Sequence, residues 1–200
     1  MTTLYLLRHS KPLRVNNDNS KDSLQVKNEK NSLSLEGEEI AKEKLKDIKV
    51  DIVYASNYVR AIQTAKYISE DINVVDELGE RVYGINSWDE LPEKYERKQF
   101  YDENLKIGYG ESQKEVRERM TKAINKILEE NKGKKIAIVS HATAISYYLK
   151  NYCDINIEND KLVYRFNNKT ILNGYFNYCE TFKLEFDDKN NLINIKNINK

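Results

Sequence analysis

The chain has 200 residues, and its 33 Lys and Arg side chains nearly balance its 32 Asp and Glu side chains. A formal net charge of +1 provides no overall field that attracts nucleic acid or an anionic membrane, so we expect neither as a partner. No apolar segment approaches the length of a membrane span or of a signal-peptide core, which predicts a cytoplasmic protein with a single domain over residues 1–200.

The amino-terminal part of the chain alternates apolar runs with amphipathic patterns. Residues 4–7 form a short apolar run that predicts a buried strand, and the polar residues 14–32 predict a long loop. Ser34 precedes a helix pattern, and residues 51–55 predict a second buried strand. Asn57 is placed to cap the helix that follows this strand.

The middle of the chain carries one short strand and two helix patterns. Residues 74–75 predict the strand, and residues 87–98 predict a helix whose charged side chains face water. Ser112 and Glu115 form a capping box ahead of an amphipathic pattern, which predicts a longer helix.

The carboxyl-terminal part predicts one more buried strand and a closing hairpin. Residues 136–139 form the strand pattern, which turns at His141 into a helix through Leu149. Residues 180–186 and 192–198 alternate apolar and polar side chains, as antiparallel strands do. Strands that alternate with helices indicate an α/β fold, with three α/β/α layers, a mostly parallel central sheet and a C-terminal antiparallel hairpin.

The two histidines of the chain each follow a predicted strand directly. His9 comes after residues 4–7, and His141 comes after residues 136–139. Ligands of open α/β sheets collect at the carboxyl ends of the strands, so we expect both imidazoles at one crevice. The alternative is that each histidine is an isolated polar residue with local hydrogen bonds.

Two arginines accompany the histidines. Arg8 precedes His9, and Arg60 lies in the first turn of the helix that begins near Asn57. A cation in a first turn opposes the helix dipole and typically costs about 0.3–1 kcal/mol. A bound phosphate would explain the placement, because helix amino termini and guanidinium groups both favour anions. The alternative for Arg60 is an ordinary surface residue.

Three carboxylates follow the predicted strand at residues 74–75, namely Asp76, Glu77 and Glu80. Phosphoryl transfer to water needs an acid for the departing alkoxide and then a base for the water, and one carboxylate can serve as both. Composition does not choose among the three.

Six stretches, in this order along the chain, resemble motifs of the histidine phosphatase superfamily, the group that includes cofactor-dependent phosphoglycerate mutases and fructose-2,6-bisphosphatase. They are Leu6-Leu-Arg-His-Ser10, Leu33-Ser-Leu-Glu-Gly37, Tyr54-Ala-Ser-Asn-Tyr-Val-Arg-Ala-Ile-Gln-Thr-Ala65, Leu78-Gly-Glu-Arg-Val-Tyr-Gly84, Gly110-Glu-Ser112 and Val139-Ser-His-Ala-Thr143. Each motif alone is weak, but six in the family's order make a specific resemblance.

The resemblance implies a phosphoglycerate mutase-like fold and a phosphohistidine mechanism. It makes His9 the nucleophile, Arg8 and Arg60 phosphate ligands, and Glu80 the general acid and base. His141 is expected to be protonated and to hold a phosphate oxygen. We expect no cofactor and no metal ion.

Two positions depart from the family pattern. Ser10 and Ala142 stand where the family usually has glycine, and their small side chains favour retention of the phosphate site. The family's phosphate-binding asparagine corresponds to Asn16 or Asn17, of which we put forward Asn16. The predicted substrate-binding residues are therefore Arg8, Arg60, Asn16 and Ala142.

These features predict a histidine acid-type phosphatase, a metal-independent phosphoric monoester hydrolase whose partner is a small phosphorylated substrate. The alternatives are a phosphoglycerate mutase-type phosphotransferase, a non-catalytic phosphate-binding module and a phosphatase of phosphorylated proteins. The resemblance implies that mutases carry more sequence around the substrate than the short segment between Glu80 and His141 here, which favours a phosphatase. Residues 14–32 and the aromatic-rich residues 83–109 are expected either to line the pocket or to be ordinary cover for the core. The sequence is also compatible with a homodimer.

Overall fold

The strands of the fold follow the apolar runs of the sequence. The computed structural model describes residues 1–13 and 21–199. The strands are β1 (Thr2–Arg8), β2 (Ile52–Ala55), β3 (Asn73–Val74), β4 (Lys135–Ser140), β5 (Asp154–Glu158), β6 (Lys161–Phe166), β7 (Lys169–Asn173), β8 (Thr181–Phe186) and β9 (Leu192–Asn197). The helices are α1 (Leu24–Lys30), α2 (Leu35–Leu45), α3 (Val59–Ala65), α4 (Tyr95–Tyr101), α5 (Gln113–Glu130) and α6 (Ala142–Leu149). Within the described part of the chain, no helix has both the length and the apolar composition needed to cross a membrane.

Strand β1 lies in the interior of the main sheet. Among the described residues this sheet has six strands, in the order β3-β2-β4-β1-β8-β9. Parallel pairing joins β1 to β4, β4 to β2 and β2 to β3, whereas β8 and β9 pair in antiparallel fashion. The predicted mixed sheet with a C-terminal antiparallel hairpin is therefore confirmed. The carboxyl ends of β1, β2 and β4 lie at one edge.

Side chains of the central strands alternate between the two faces of the sheet, as the two-residue period of a strand requires. Leu6 and Ile138 belong to a core cluster that contains apolar side chains of α5 and α6. Leu7 and Val139 belong to a second cluster with side chains of α2 and α3. The helices thus cover both faces, which gives the predicted α/β/α layers.

A second sheet, which the sequence analysis did not predict, follows α6. It is antiparallel, with the strand order β5-β6-β7 among the described residues. Its hairpins turn at Asn159-Asp160 and Asn167-Asn168, and all four residues have positive φ. Two-residue turns of this kind favour Asn and Asp, because these side chains tolerate the left-handed region.

Three local predictions differ from the structure. Helix α1, with Ser23 as its N-cap, lies within the polar stretch predicted as a loop. Helix α3 begins after Tyr58 rather than Asn57, and no side chain caps it. Residues 87–98 form a short 3-10 turn at Trp88–Glu90 and only then α4, because Pro92 disfavours helical geometry in the residue before it.

Candidate active site

His9 and His141 lie side by side at the carboxyl edge of the main sheet. The backbone N–H of His9 donates to the carbonyl oxygen of Ser140 at 2.9 Å, which extends the pairing of β1 with β4 by one residue. The two imidazole ring centres are 5.0 Å apart. His9 is 6% exposed and His141 is fully buried. The predicted crevice therefore brings both rings together.

Arg60 joins the two imidazoles. Its Nε donates to Nε2 of His9 at 3.1 Å, and its Nη2 lies 3.4 Å from Nδ1 of His141. Its Nη1 donates to the carbonyl oxygen of Asn28 on α1, and its guanidinium lies 4.7 Å over the ring of Tyr58. Arg60 is buried, so it is not an ordinary surface residue.

These contacts define the tautomer of each ring. A guanidinium has only donors, so each ring nitrogen that faces Arg60 must carry a lone pair. Nδ1 of His9 then bears the proton and donates to the carbonyl oxygen of Ser10 at 2.6 Å. Nε2 of His141 likewise donates to the hydroxyl oxygen of Ser56 at 2.8 Å. His9 therefore presents an unprotonated Nε2, the nucleophilic form of imidazole.

The surroundings of both rings favour the neutral form. Burial lowers the pKa of His9 well below its ordinary value, and the Arg60 and Arg8 cations lower it further. Burial also lowers the pKa of His141, with added contributions from His9 and Arg60. The protein's own groups therefore favour a neutral His141 at neutral pH, and its protonation beside a phosphate stays a prediction.

This burial makes the stability of the fold depend on pH. The unfolded chain binds protons at His9 and His141 below the ordinary pKa of about 6.5, whereas the folded chain does not bind them until a lower pH. The free energy of unfolding should therefore fall as pH drops from about 6.5 toward 5, by about 1 kcal/mol per pH unit for each ring. Carboxylates whose pKa is lowered in the folded chain, such as Glu158 beside Arg165, are ionised in both the folded and the unfolded chain above their ordinary pKa of 4.5. They therefore change the free energy of unfolding only below that pH.

Urea unfolding at pH 7 and pH 5 measures this effect. The variant His141→Gln should lose about half of the difference in the free energy of unfolding between the two pH values. Equal stability of the unsubstituted protein at both pH values would contradict the assignment of two neutral buried rings.

Arg8 lies at the boundary of this cluster. Its Nη1 donates to the carbonyl oxygen of Phe176 at 2.5 Å, and its guanidinium lies 4.6 Å over the ring of Tyr178. Its Nε is buried and makes no hydrogen bond to the residues that the structure describes. A buried donor without an acceptor is costly, so this N–H is available for an anion.

Glu80 lies at the amino terminus of α6, next to His141. One carboxylate oxygen, Oε1, accepts from the backbone N–H of Ala144 at 3.0 Å and of Arg81 at 2.9 Å. The other, Oε2, accepts from the N–H of Thr143 at 3.3 Å. Asp76 and Glu77 are exposed to solvent, so among the three candidate carboxylates the geometry selects Glu80.

A clamp formed by Arg119 and Glu111 holds the segment that carries Glu80. Arg119 on α5 donates to the carbonyl oxygens of Glu77, Gly79 and Glu80 at 2.7, 3.0 and 3.1 Å. It also forms a bidentate pair with Glu111, at 2.6 and 2.8 Å, and Glu111 accepts from the N–H of Val82. Arg119 was not predicted from the sequence, although its partner Glu111 lies within the Gly110-Glu-Ser112 motif.

The remaining predicted residues have separate locations. Ser10 is buried, its hydroxyl donates to the carbonyl oxygen of Gly37 at 2.6 Å, and its N–H donates to Thr64 at 2.9 Å. The fold therefore accommodates serine in place of glycine. Ala142 is half-buried at the first position of α6. Asn16 and Asn17 lie outside the described residues.

Over residues 1–13 and 21–199, no His, Cys, Asp and Glu side chains are grouped as a metal ion would require.

Comparisons with known proteins identify the family of the chain and proteins that share its fold. The sequence model of the family described as histidine phosphatase superfamily (branch 1) matches residues 4–175. Among solved structures, the chain is similar to a phosphoserine phosphatase variant from Entamoeba histolytica in complex with phosphoserine (TM-score 0.66, 18% identity), which it covers to 97%. It is also similar to the alpha-ribazole phosphatase from Shigella flexneri (TM-score 0.66, 20% identity), which it covers to 96%.

A mycobacterial glucosyl-3-phosphoglycerate phosphatase is similar at a TM-score of 0.67 and 16% identity, with 96% of that chain covered. Each of the three alignments covers 98% of the present chain. At these identities the likeness shows a shared fold. No curated protein sequence matches the chain.

Proposed function

The chain belongs to the histidine phosphatase superfamily, and on that premise we propose that it hydrolyses a small phosphorylated metabolite through a phosphohistidine on His9. The observation that carries the proposal is the buried Nε2 of His9, which is unprotonated and accepts a hydrogen bond from Arg60. An imidazole held in this form beside a guanidinium is suited to attack a phosphate ester.

In the proposed first step, the substrate phosphate takes over the Nε–H of Arg60, which frees the lone pair on Nε2 of His9. This nitrogen then attacks phosphorus while the bond from phosphorus to the ester oxygen breaks. Arg60 and Arg8 bind the non-bridging oxygens, and such fixed charges usually provide the largest share of catalysis. A protonated Glu80 transfers its proton to the leaving oxygen, so that the product departs as an alcohol.

In the second step, water displaces the imidazole. The Glu80 carboxylate accepts a proton from the water, whose oxygen bonds to phosphorus as the bond from phosphorus to nitrogen breaks. Inorganic phosphate leaves, and His9 and Glu80 return to their first states. The negative charge of the phosphate raises the pKa of His141, so we propose that His141 takes up a proton when substrate binds and then donates to an oxygen.

A turnover assay with a panel of phosphorylated metabolites tests the proposal, with phosphate release measured in the presence and absence of EDTA. We expect release from at least one monoester at a rate that EDTA does not change, because the scheme uses only side chains. Strong inhibition by EDTA would indicate a metal hydrolase. Isomerisation of phosphoglycerate without phosphate release would indicate a mutase.

The clamp on the Glu80 segment leads to a separate prediction. Arg119→Lys keeps the charge but loses the planar fork that binds Glu111 and the three carbonyl oxygens. We expect kcat/KM for an alkyl phosphate to fall about tenfold, equivalent to about 1.4 kcal/mol of activation free energy. With p-nitrophenyl phosphate, whose leaving group needs little protonation, kcat/KM should change much less.

Arg117→Lys is the matched control, since Arg117 lies on the same helix and pairs with Glu103 at 2.7 Å away from the Glu80 segment. It should leave both esters unaffected. If Arg119→Lys reduced kcat/KM for the two esters equally, its effect would be on the fold rather than on the general acid.

A further inference from the structure

A cavity of about 540 Å³ lies between α4, α6 and the second sheet, in addition to the cluster of His9, Arg60 and His141. Cavities of about 300–1,000 Å³ are typical of sites for small molecules. The residues around it include side chains of β5 and β6 and of the segment that follows β7. The second sheet therefore forms one wall of a substrate-sized space.

The cavity begins where the proposed phosphate site ends. Arg8, Ala142 and Thr143 line it, and the first two are direct neighbours in the chain of His9 and His141. The N–H of Thr143 donates to Oε2 of Glu80, and we assign the carboxyl group of Glu80 to protonation of the leaving group. The cavity is thus on the side of the site from which the alcohol part of the substrate would leave.

Most of the wall is aromatic or aliphatic. Its apolar members include Phe100, Tyr147, Ile157, Leu162, Tyr164 and Phe176. Ile157 and Leu162 face each other as cross-strand partners on β5 and β6. Such a wall favours a ligand with apolar surface to bury.

Two buried hydroxyl groups of the wall have partners within the protein. The Tyr164 hydroxyl lies 2.8 Å from the hydroxyl of Ser146, and the Tyr147 hydroxyl donates to Gln99 at 2.9 Å.

Arginines that line the cavity, among the described residues, are Arg8 and Arg97. Arg97 pairs with Asp160 at 3.1 Å, and Arg8 is assigned to the phosphate. Among the described residues, the wall therefore provides no further cation that could bind a carboxylate or a second phosphate group of the substrate.

We propose that this cavity binds the alcohol part of the substrate, and that this part is an apolar alcohol bearing an aromatic ring rather than a small acid. The inference rests on the proposed phosphatase function. Burial of a phenyl ring should increase kcat/KM about 10- to 100-fold over an ester that lacks the ring.

The test compares kcat/KM for 2-phenylethyl phosphate, ethyl phosphate and phosphoserine. The first two esters have leaving groups of similar acidity, so their ratio reports binding of the ring rather than the chemical step. We expect a preference of at least tenfold for 2-phenylethyl phosphate over each of the others. Equal values, or a preference for phosphoserine, would overturn the inference, whereas hydrolysis of none of the three would instead count against the proposed function.

Two substitutions at Ile157 locate the effect. Ile157→Asn makes the wall polar and Ile157→Trp fills the space, so each should reduce the ratio of 2-phenylethyl to ethyl phosphate about tenfold. Asn156→Ser is the control, because Asn156 is the exposed neighbour on β5 and does not line the cavity. The ratio is measured within one protein preparation and is therefore insensitive to partial misfolding. An unchanged ratio in both Ile157 variants would place the ring elsewhere and overturn the proposal.

Discussion

Replacing His9 with alanine is expected to reduce phosphate release from every monoester to the level of the uncatalysed blank. The variant lacks the nitrogen that forms the bond to phosphorus, and the only other imidazole, His141, directs Nδ1 toward Arg60 and Nε2 toward Ser56. A steady-state assay with p-nitrophenyl phosphate measures the loss, because this ester depends little on the general acid.

Two controls accompany His9→Ala. Urea unfolding at pH 7 should show a folded variant, since the substitution removes one ring at the edge of the sheet and leaves the strands intact. Added imidazole should restore part of the phosphate release, because it can occupy the space of the missing ring and accept the phosphoryl group. Wild-type turnover by His9→Ala without imidazole would refute the mechanism.

Glu80→Gln is expected to reduce kcat/KM for alkyl phosphates by about 10² to 10⁴, the usual contribution of a general acid. Glutamine preserves an oxygen at the position of Oε1, which can accept from the N–H groups of Ala144 and Arg81. It loses the weaker contact of Oε2 with Thr143, so the segment should stay in place while the transferable proton is lost. For p-nitrophenyl phosphate the same variant should lose far less in kcat/KM, since its leaving group departs without protonation.

Asp76→Asn is the matched control for Glu80→Gln, because Asp76 is an exposed carboxylate of the same segment. We expect it to keep wild-type kcat/KM with both classes of ester. A reduction of similar size for alkyl and p-nitrophenyl phosphates in Glu80→Gln would mean that Glu80 holds the substrate rather than protonating the leaving group.

The parts of the site that the sequence predicts are those encoded by short stretches of chain. His9 and His141 each follow an apolar run, and parallel pairing of β1 with β4 then places them together. Periodicity and turn residues are local signals, so they predict the strand ends from the sequence. Composition treats Asp76, Glu77 and Glu80 alike, and the family resemblance was needed to choose Glu80, which the fold places against α6.

The parts that the sequence does not predict depend on contacts between distant segments. Arg119 is one charged residue among many on α5, and its role is visible only once the carbonyl oxygens of Glu77, Gly79 and Glu80 lie against it. The second sheet was missed because charged and Asn side chains interrupt the apolar runs of its strands, and its polar turns resemble a loop. Asn-Asp and Asn-Asn pairs at positions 159–160 and 167–168 were the available signal for its hairpins.

Trapping the phosphorylated enzyme tests the central claim most directly. The protein is mixed with a monoester labelled at phosphorus, quenched in alkali within the first turnovers, and digested for mass spectrometry. We predict a phosphoryl group on Nε2 of His9, because Nδ1 is occupied by its hydrogen bond to the carbonyl oxygen of Ser10. Label on another residue, or a phosphorylated intermediate that still forms in His9→Ala, would contradict the account.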